Sequence, residues 1–184
     1  MTKHRLRSRP SALAAATAAA VASLCSAHAA KADDLKRADV VGTWRLVSVE
    51  TLRPNGEVSH EWMGRNPLGL IIYDATGRMA VQIMRDPRPT FAPGRLCCIP
   101  ERTATPDEIG AAYMGYYAYF GTYEVDERDG AVIHRVQASL WPQEVERNYR
   151  RRAEVSGDRL TLTTPRFQWA GEQRANRLTW ERAR

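Results

Sequence analysis

From Gly42 onward, apolar and polar residues alternate in short runs separated by turn residues, the two-residue period of strands with one buried face. In the first run Trp44, Leu46 and Ser48 fall on one side and Thr43, Arg45 and Val47 on the other, and Glu50 shares the parity of Trp44. Pro54-Asn55-Gly56 signals a turn and leads to a short strand around Glu57 to Trp62. Leu68 to Tyr73 is a nearly continuous apolar run. Asp74-Ala75-Thr76-Gly77 closes a hairpin, and on the return Met79, Val81 and Ile83 share a face. Consecutive short strands of this kind predict an antiparallel meander that curls into a barrel or pairs into a sandwich.

The alternation stops between Arg85 and Arg102, where Pro87, Pro89, Pro93 and Pro100 exclude a ladder. A long irregular loop is expected, of a length that often carries function. Thr105, Pro106 and Glu108 then spell a helix start with a capping box. Ile109, Ala112, Tyr113 and Tyr116 come next at helical spacing, predicting one amphipathic helix that plugs or covers an opening of the barrel. Tyr113, Tyr116, Tyr117 and Tyr119 lie near its exit. Two readings stay open for them: packing in core and rim, or hydroxyls that face the cavity and grip a ligand.

Two strands flank the turn at Asp126 to Gly130. In the second, Val132, His134, Val136 and Ala138 share one parity while Arg135, Gln137 and Ser139 share the other, so His134 is expected to point inward. An inward histidine is either a hydrogen-bonded core residue or a proton carrier. Past Trp141-Pro142, Tyr149, Arg151, Ala153 and Val155 fall on the apolar parity. An inward Arg151 needs an acidic partner, carbonyls, water or a ligand anion, and Glu50 is one candidate; a one-residue slip at Pro142 would instead leave all three of Arg150 to Arg152 solvated. Leu160 and Leu162, then Leu178 and Trp180, complete the inward set. The reading is an all-β antiparallel meander of about eight or nine strands closed into a barrel, with one amphipathic helix.

Composition changes the picture mainly at the N-terminus. Lys3, Arg5, Arg7 and Arg9 precede an Ala-rich apolar run from Ser11 to Leu24, and Ala27-His28-Ala29 fits a cleavage site. Residues 1–29 read as a secretory signal peptide and 30–184 as the barrel domain, which places the mature protein in a periplasmic or secreted location. Cleavage removes those four positive charges and no negative ones, so the formal charge falls from +6 to +2. No basic excess of the kind that binds nucleic acid remains, and no stable membrane insertion is expected after cleavage. The remaining cysteines, Cys97 and Cys98, are adjacent and do not make a disulfide scaffold. Free thiols, a strained vicinal disulfide and an intermolecular bridge all stay open.

The ordered set of motifs resembles the bacterial and fungal lipocalin-like domain family. It comprises Gly42-Thr43-Trp44-Arg45-Leu46-Val47-Ser48, Asn66-Pro67-Leu68-Gly69 with Ile72-Tyr73, and Gly77 with Met79 through Arg85. It continues with Ala118-Tyr119-Phe120-Gly121-Thr122-Tyr123, His134, Ser139-Leu140-Trp141-Pro142, Arg151 and Gly157-Asp158-Arg159-Leu160-Thr161-Leu162. The resemblance implies a lipocalin-like β-barrel enclosing a pocket for a small, mostly apolar molecule. It implies little about activity, because such barrels host transporters, haem binders and isomerases or cyclases alike. The cysteine pair and Gln143-Glu144-Val145-Glu146 depart from the family pattern.

Three functions suit such a barrel: ligand binding, catalysis, and a structural or stress-related role with a mostly filled interior. In a binding protein the cavity would be lined by Leu46, Met79, Val81, Ile83, Tyr123, Val136, Leu162 and Trp180. Tyr116 would join them, and His134 and Arg151 would orient the ligand. A carboxylate on that ligand would answer Arg151. In a cofactor-independent isomerase, cyclase or hydratase, His134 would be general acid or base and Arg151 would stabilise negative charge, both catalytic. No Gly-x-Ser-x-Gly elbow, phosphate loop or dinucleotide fingerprint occurs, and neither cofactor nor metal is expected. The expected partner is a small hydrophobic molecule; nothing in the chain speaks to oligomeric state.

Overall fold

The structure is a computed structural model that describes residues 35–184 apart from 97, 98, 100 and 101. The signal-peptide reading and the cysteine pair therefore lie outside the described residues. The elements run α1 (Arg37–Val40), β1 (Gly42–Leu52), β2 (Val58–Ser59), β3 (Leu68–Tyr73), β4 (Arg78–Met84), α2 (Pro106–Met114), β5 (Tyr116–Asp126), β6 (Ala131–Ser139), β7 (Asn148–Ser156), β8 (Arg159–Thr163), β9 (Phe167–Trp169) and β10 (Glu172–Arg182). A closed antiparallel barrel is formed by β1, β3, β4, β5, β6, β7, β8 and β10, because β10 also pairs with β1. The short strands β2 and β9 extend β1 and β10. A barrel of this strand number is just wide enough to be filled by side chains or to hold one small ligand.

The inward parity is the apolar one. Trp44, Leu46, Ile71, Tyr73, Met79, Val81, Ile83, Tyr123, Val132, Val136, Leu160, Leu162 and Trp180 are all buried. Trp44 donates its indole N–H to the Val40 carbonyl at 2.8 Å, so α1 is tied down over one end of the barrel with Val40 buried beneath it. At the other end Tyr117 packs between Trp62 and Trp141, with ring centroids 5.4 and 4.8 Å away. The outer wall of β3 and β5 is unusually apolar for a surface: Leu68, Leu70, Ile72 and Phe120 are exposed. No helix among the described residues is long and apolar enough to cross a membrane.

Two bulges overturn the simple parity reading. In β1 the register against β10 shifts between Leu46 and Ser48, so one extra residue turns Val49 and Thr51 inward and Glu50 outward. Glu50 consequently does not meet Arg151; it accepts from Arg177 Nε at 2.7 Å. In β6 the shift lies opposite Phe120 and Gly121, where Val136 and Ala138 pair with neighbouring residues of β5 and Gln137 is the extra one. Past it, Ser139 is inward and Ala138 stands opposite the outward Phe120.

The capping box of α2 forms as expected, with Thr105 N donating to Glu108 at 2.7 Å and Glu108 N to Thr105 Oγ1 at 3.3 Å. The helix ends at Met114, however, and Tyr116 is the first residue of β5. An aromatic run alternating after Gly115 suits a pleated strand better than another helical turn. The helix lies across the rim rather than plugging it, for none of its residues is buried. Glu108 also accepts from the Ala92 amide at 2.8 Å and from Arg95 at 2.9 Å, so one carboxylate pins the proline-rich loop to the helix. These donors, the Ala92 amide first, lower the Glu108 carboxyl to about 2. Glu108→Gln is expected to free the loop, raising hydrogen exchange at the Ala92 amide by about tenfold or more while the barrel amides stay protected. Unchanged exchange would show that the carboxylate does not hold the loop.

Candidate functional site

The polar centre of the barrel is built by three strands. β6 delivers His134 from its inward parity, β3 ends on Tyr73, and β5 brings Tyr119 and Tyr123. The Tyr73 hydroxyl lies 2.7 Å from His134 Nε2 and the Tyr119 hydroxyl 2.7 Å from His134 Nδ1. His134 is only 1% exposed. Tyr123 packs edge-on against Tyr73 and donates to the Asp74 carbonyl at 2.7 Å.

Electrostatics fixes the protonation states of this cluster. Burial, reinforced by the nearby Arg151 charge, lowers the His134 pKa from 6.5 to about 3, so the imidazole is neutral under ordinary conditions. Burial raises Tyr73 well above its ordinary value. It pushes Tyr119 up to about 12, against the opposing pull of Arg151. Both phenols therefore keep their protons. A neutral imidazole has one N–H and one bare nitrogen. One phenol donates to the bare nitrogen; the other accepts the N–H and has its own O–H left over. That hydroxyl hydrogen sits in the interior without an acceptor among the described residues.

Arg151 stands opposite the fully buried Val132 in the β6–β7 register and so shares the inner face. Its guanidinium lies 4.8 Å from the centroid of the Tyr149 ring and donates to the Arg150 carbonyl at 3.2 Å. No carboxylate pairs with it among the described residues. Its neighbours behave differently: Arg150 pairs with Asp126 at 2.9 Å and Asp129 at 2.7 Å, and Arg152 with Glu154 at 3.0 Å. The inward reading of Arg151 thus holds and the solvated alternative does not. Trp180, fully buried, adds a second interior donor, since its Nε1 has no acceptor among the described residues.

A second polar group lies nearby. The turn Pro142–Glu144 folds Glu144 under the rim, 8% exposed, where it accepts from Tyr117 at 3.1 Å and Ser139 at 2.8 Å. The desolvated Tyr117 and Tyr149 phenols are both raised, with the Glu144 charge adding to burial in each.

Of the residues predicted to line the site, Leu46, Met79, Val81, Ile83, Tyr123, His134, Val136, Leu162 and Trp180 are buried on the inner face with Arg151 beside them. Tyr116 is not among them. It projects outward, donating to Gln82 at 2.9 Å beneath the Arg88 guanidinium. Tyr73 and Glu144 were missed as site residues. For Tyr119 the sequence leaves both packing and a cavity-facing hydroxyl open; in the fold its hydroxyl lies on His134 inside the barrel. The two-residue spacing of Tyr117, Tyr119 and Tyr123 with Gly121 was the available signal for Tyr119. Glu144, in a turn after a proline, left none. Among the described residues no group of three or more His, Cys, Asp or Glu is arranged to hold a metal.

No curated protein matches this chain. The model of the lipocalin-like domain matches residues 41–183, from the first strand of the barrel to its last. The chain belongs to the lipocalin-like domain family.

Proposed function

We propose that this chain is an exported binding protein that holds a small hydrophobic molecule inside the barrel, with a carboxylate or similar acceptor group turned toward His134 and Arg151. The observation that carries this reading is a surplus of donors on the inner face. Arg151 has no carboxylate partner among the described residues, one phenol of the Tyr73–His134–Tyr119 cluster has a spare O–H, and Trp180 Nε1 has no acceptor. The spare phenol hydrogen and Trp180 Nε1 are buried donors without acceptors, which are costly, and acceptor oxygens on a ligand satisfy them, with the half-buried Arg151 supplying the opposite charge. The apolar lining supplies the remaining contact. The basic N-terminal segment with its apolar run supports export.

Acid–base catalysis by His134 is not favoured. A general base works best with a pKa near the operating pH, and a value of about 3 leaves the imidazole too weak to take up protons near neutrality.

Native mass spectrometry of the protein isolated under non-denaturing conditions tests the proposal. A co-purifying small molecule on the wild type, lost or at least about tenfold depleted on Arg151→Gln, is expected. Wild-type protein at its bare sequence mass, or a molecule retained equally by Arg151→Gln, would overturn the proposal.

A further inference from the structure

Outside the barrel wall, α2 and the proline-rich loop enclose an open cleft of about 300 Å³. Phe91, Ile109, Ala112, Tyr113 and Leu140 form its walls, and among the described residues the only charged group lining it is Arg88. The chemistry of that arginine is specific. Its Nη2 donates to the Ala112 carbonyl at 2.8 Å, Nη1 lies 3.6 Å from Met84 Sδ, and the guanidinium sits 5.3 Å from the centroid of the Tyr116 ring. Among the described residues it meets no carboxylate, and its Nε is buried with no hydrogen-bond partner. The buried Nε is out of a ligand's reach, but Nη1 and Nη2 each keep a second N–H, and a guanidinium held by a carbonyl and an aromatic face with those two donors free suits an anion.

We propose that this cleft is a second binding site, separate from the barrel interior, for a carboxylate carrying an apolar body, with the carboxylate on Arg88 and the apolar part along Ile109, Tyr113 and Leu140. The volume sets the length. With ~30 Å³ per water-sized group, the cleft takes about ten such groups, the size of a carboxylate with eight to ten carbons. The cap on Glu108 positions the site, since the same carboxylate fastens Ala92 beside Phe91 and begins the helix that carries Ile109 and Tyr113.

Decanoate is the probe, titrated into the wild type, Arg88→Gln and Arg151→Gln while backbone amide resonances are followed, with 1-decanol as a neutral chain of equal length. Decanoate is expected to shift the amides of Ile109 to Tyr113 and Leu140 and to saturate those cleft shifts at a concentration at least about tenfold higher in Arg88→Gln, whereas Arg151→Gln should change only shifts of barrel-interior amides. Decanol should bind the wild type more weakly than decanoate by a similar factor, an arm that needs no variant to fold. Equal affinity for decanoate and decanol, equal affinity for Arg88→Gln and wild type, no binding, or shifts confined to barrel-interior amides would each overturn the proposal. Shifts confined to the interior would leave the barrel reading standing, and loss of the barrel ligand on Arg151→Gln is read independently of this cleft.

Discussion

Lowering the pH from 7 to 4 will cost the folded protein about 3 kcal/mol through His134 alone. In the unfolded chain the imidazole takes up a proton at its ordinary pKa of 6.5, whereas in the barrel burial and the Arg151 charge hold it neutral down to about 3. The folded state therefore binds fewer protons than the unfolded state throughout that window. Stability is fully present above pH 6.5, falls as the pH drops below it, and stops falling through this group near pH 3. Carboxylates lowered by their donors, Asp74, Glu124 and Asp126 among them, add their own acid loss in wild type and variant alike. The comparison with His134→Gln isolates the histidine: glutamine offers one donor and one acceptor group but does not titrate. Denaturant unfolding at a series of pH values should show the variant less stable at pH 7 yet flatter toward pH 4 by about 3 kcal/mol. Parallel curves would mean that His134 takes up its proton alike in the folded and unfolded chain, as an imidazole open to water does.

Gly121→Ala is expected to cost at least about 3 kcal/mol, lowering the melting temperature by roughly 6–12 °C. A Cβ at this position would lie 1.9 Å from the Arg135 carbonyl oxygen and 3.0 Å from the Gln137 amide nitrogen. Both are backbone atoms of the neighbouring strand, so no side-chain rotation relieves the clash. The site matters because the β6 bulge begins here. It sets Tyr119 and His134 so that phenol and imidazole meet at 2.7 Å, and spreading β5 from β6 would lengthen that contact. Loss of stability should therefore come with loss of whatever the barrel retains. A melting temperature within about 2 °C of wild type would show that the strands can part here at little cost.

The sequence was informative wherever period and burial agreed. Met79, Val81 and Ile83, the inward His134, and Tyr149–Arg151–Ala153 could all be placed by alternation, because each lies in a strand segment without irregularity. Alternation failed at single-residue insertions. The bulges after Leu46 and opposite Gly121 each reverse the parity of the strand residues beyond them, and neither Val47 nor Gln137 is a glycine or proline that would have marked the irregularity. Glu50 was consequently assigned to the wrong face, and Ser139 with it. Tyr116 failed for a different reason: its helical spacing from Ile109 and Ala112 is genuine, but Gly115 ends the helix and the next residue begins a strand. Tyr119 and His134 lie on one hairpin, but Tyr73 is two strands further back in the meander, so no local pattern encodes the three-residue cluster; the curvature of the sheet brings it about.

That a neutral imidazole bridging two phenols is the polar heart of a ligand-holding barrel is tested most directly by the ¹⁵N resonances of the His134 ring at pH 5, before and after stripping of the co-purified molecule. One protonated and one bare ring nitrogen, both resonances moving when that molecule is removed, is the predicted result. An imidazolium spectrum at this pH, or ring resonances indifferent to stripping, would contradict it.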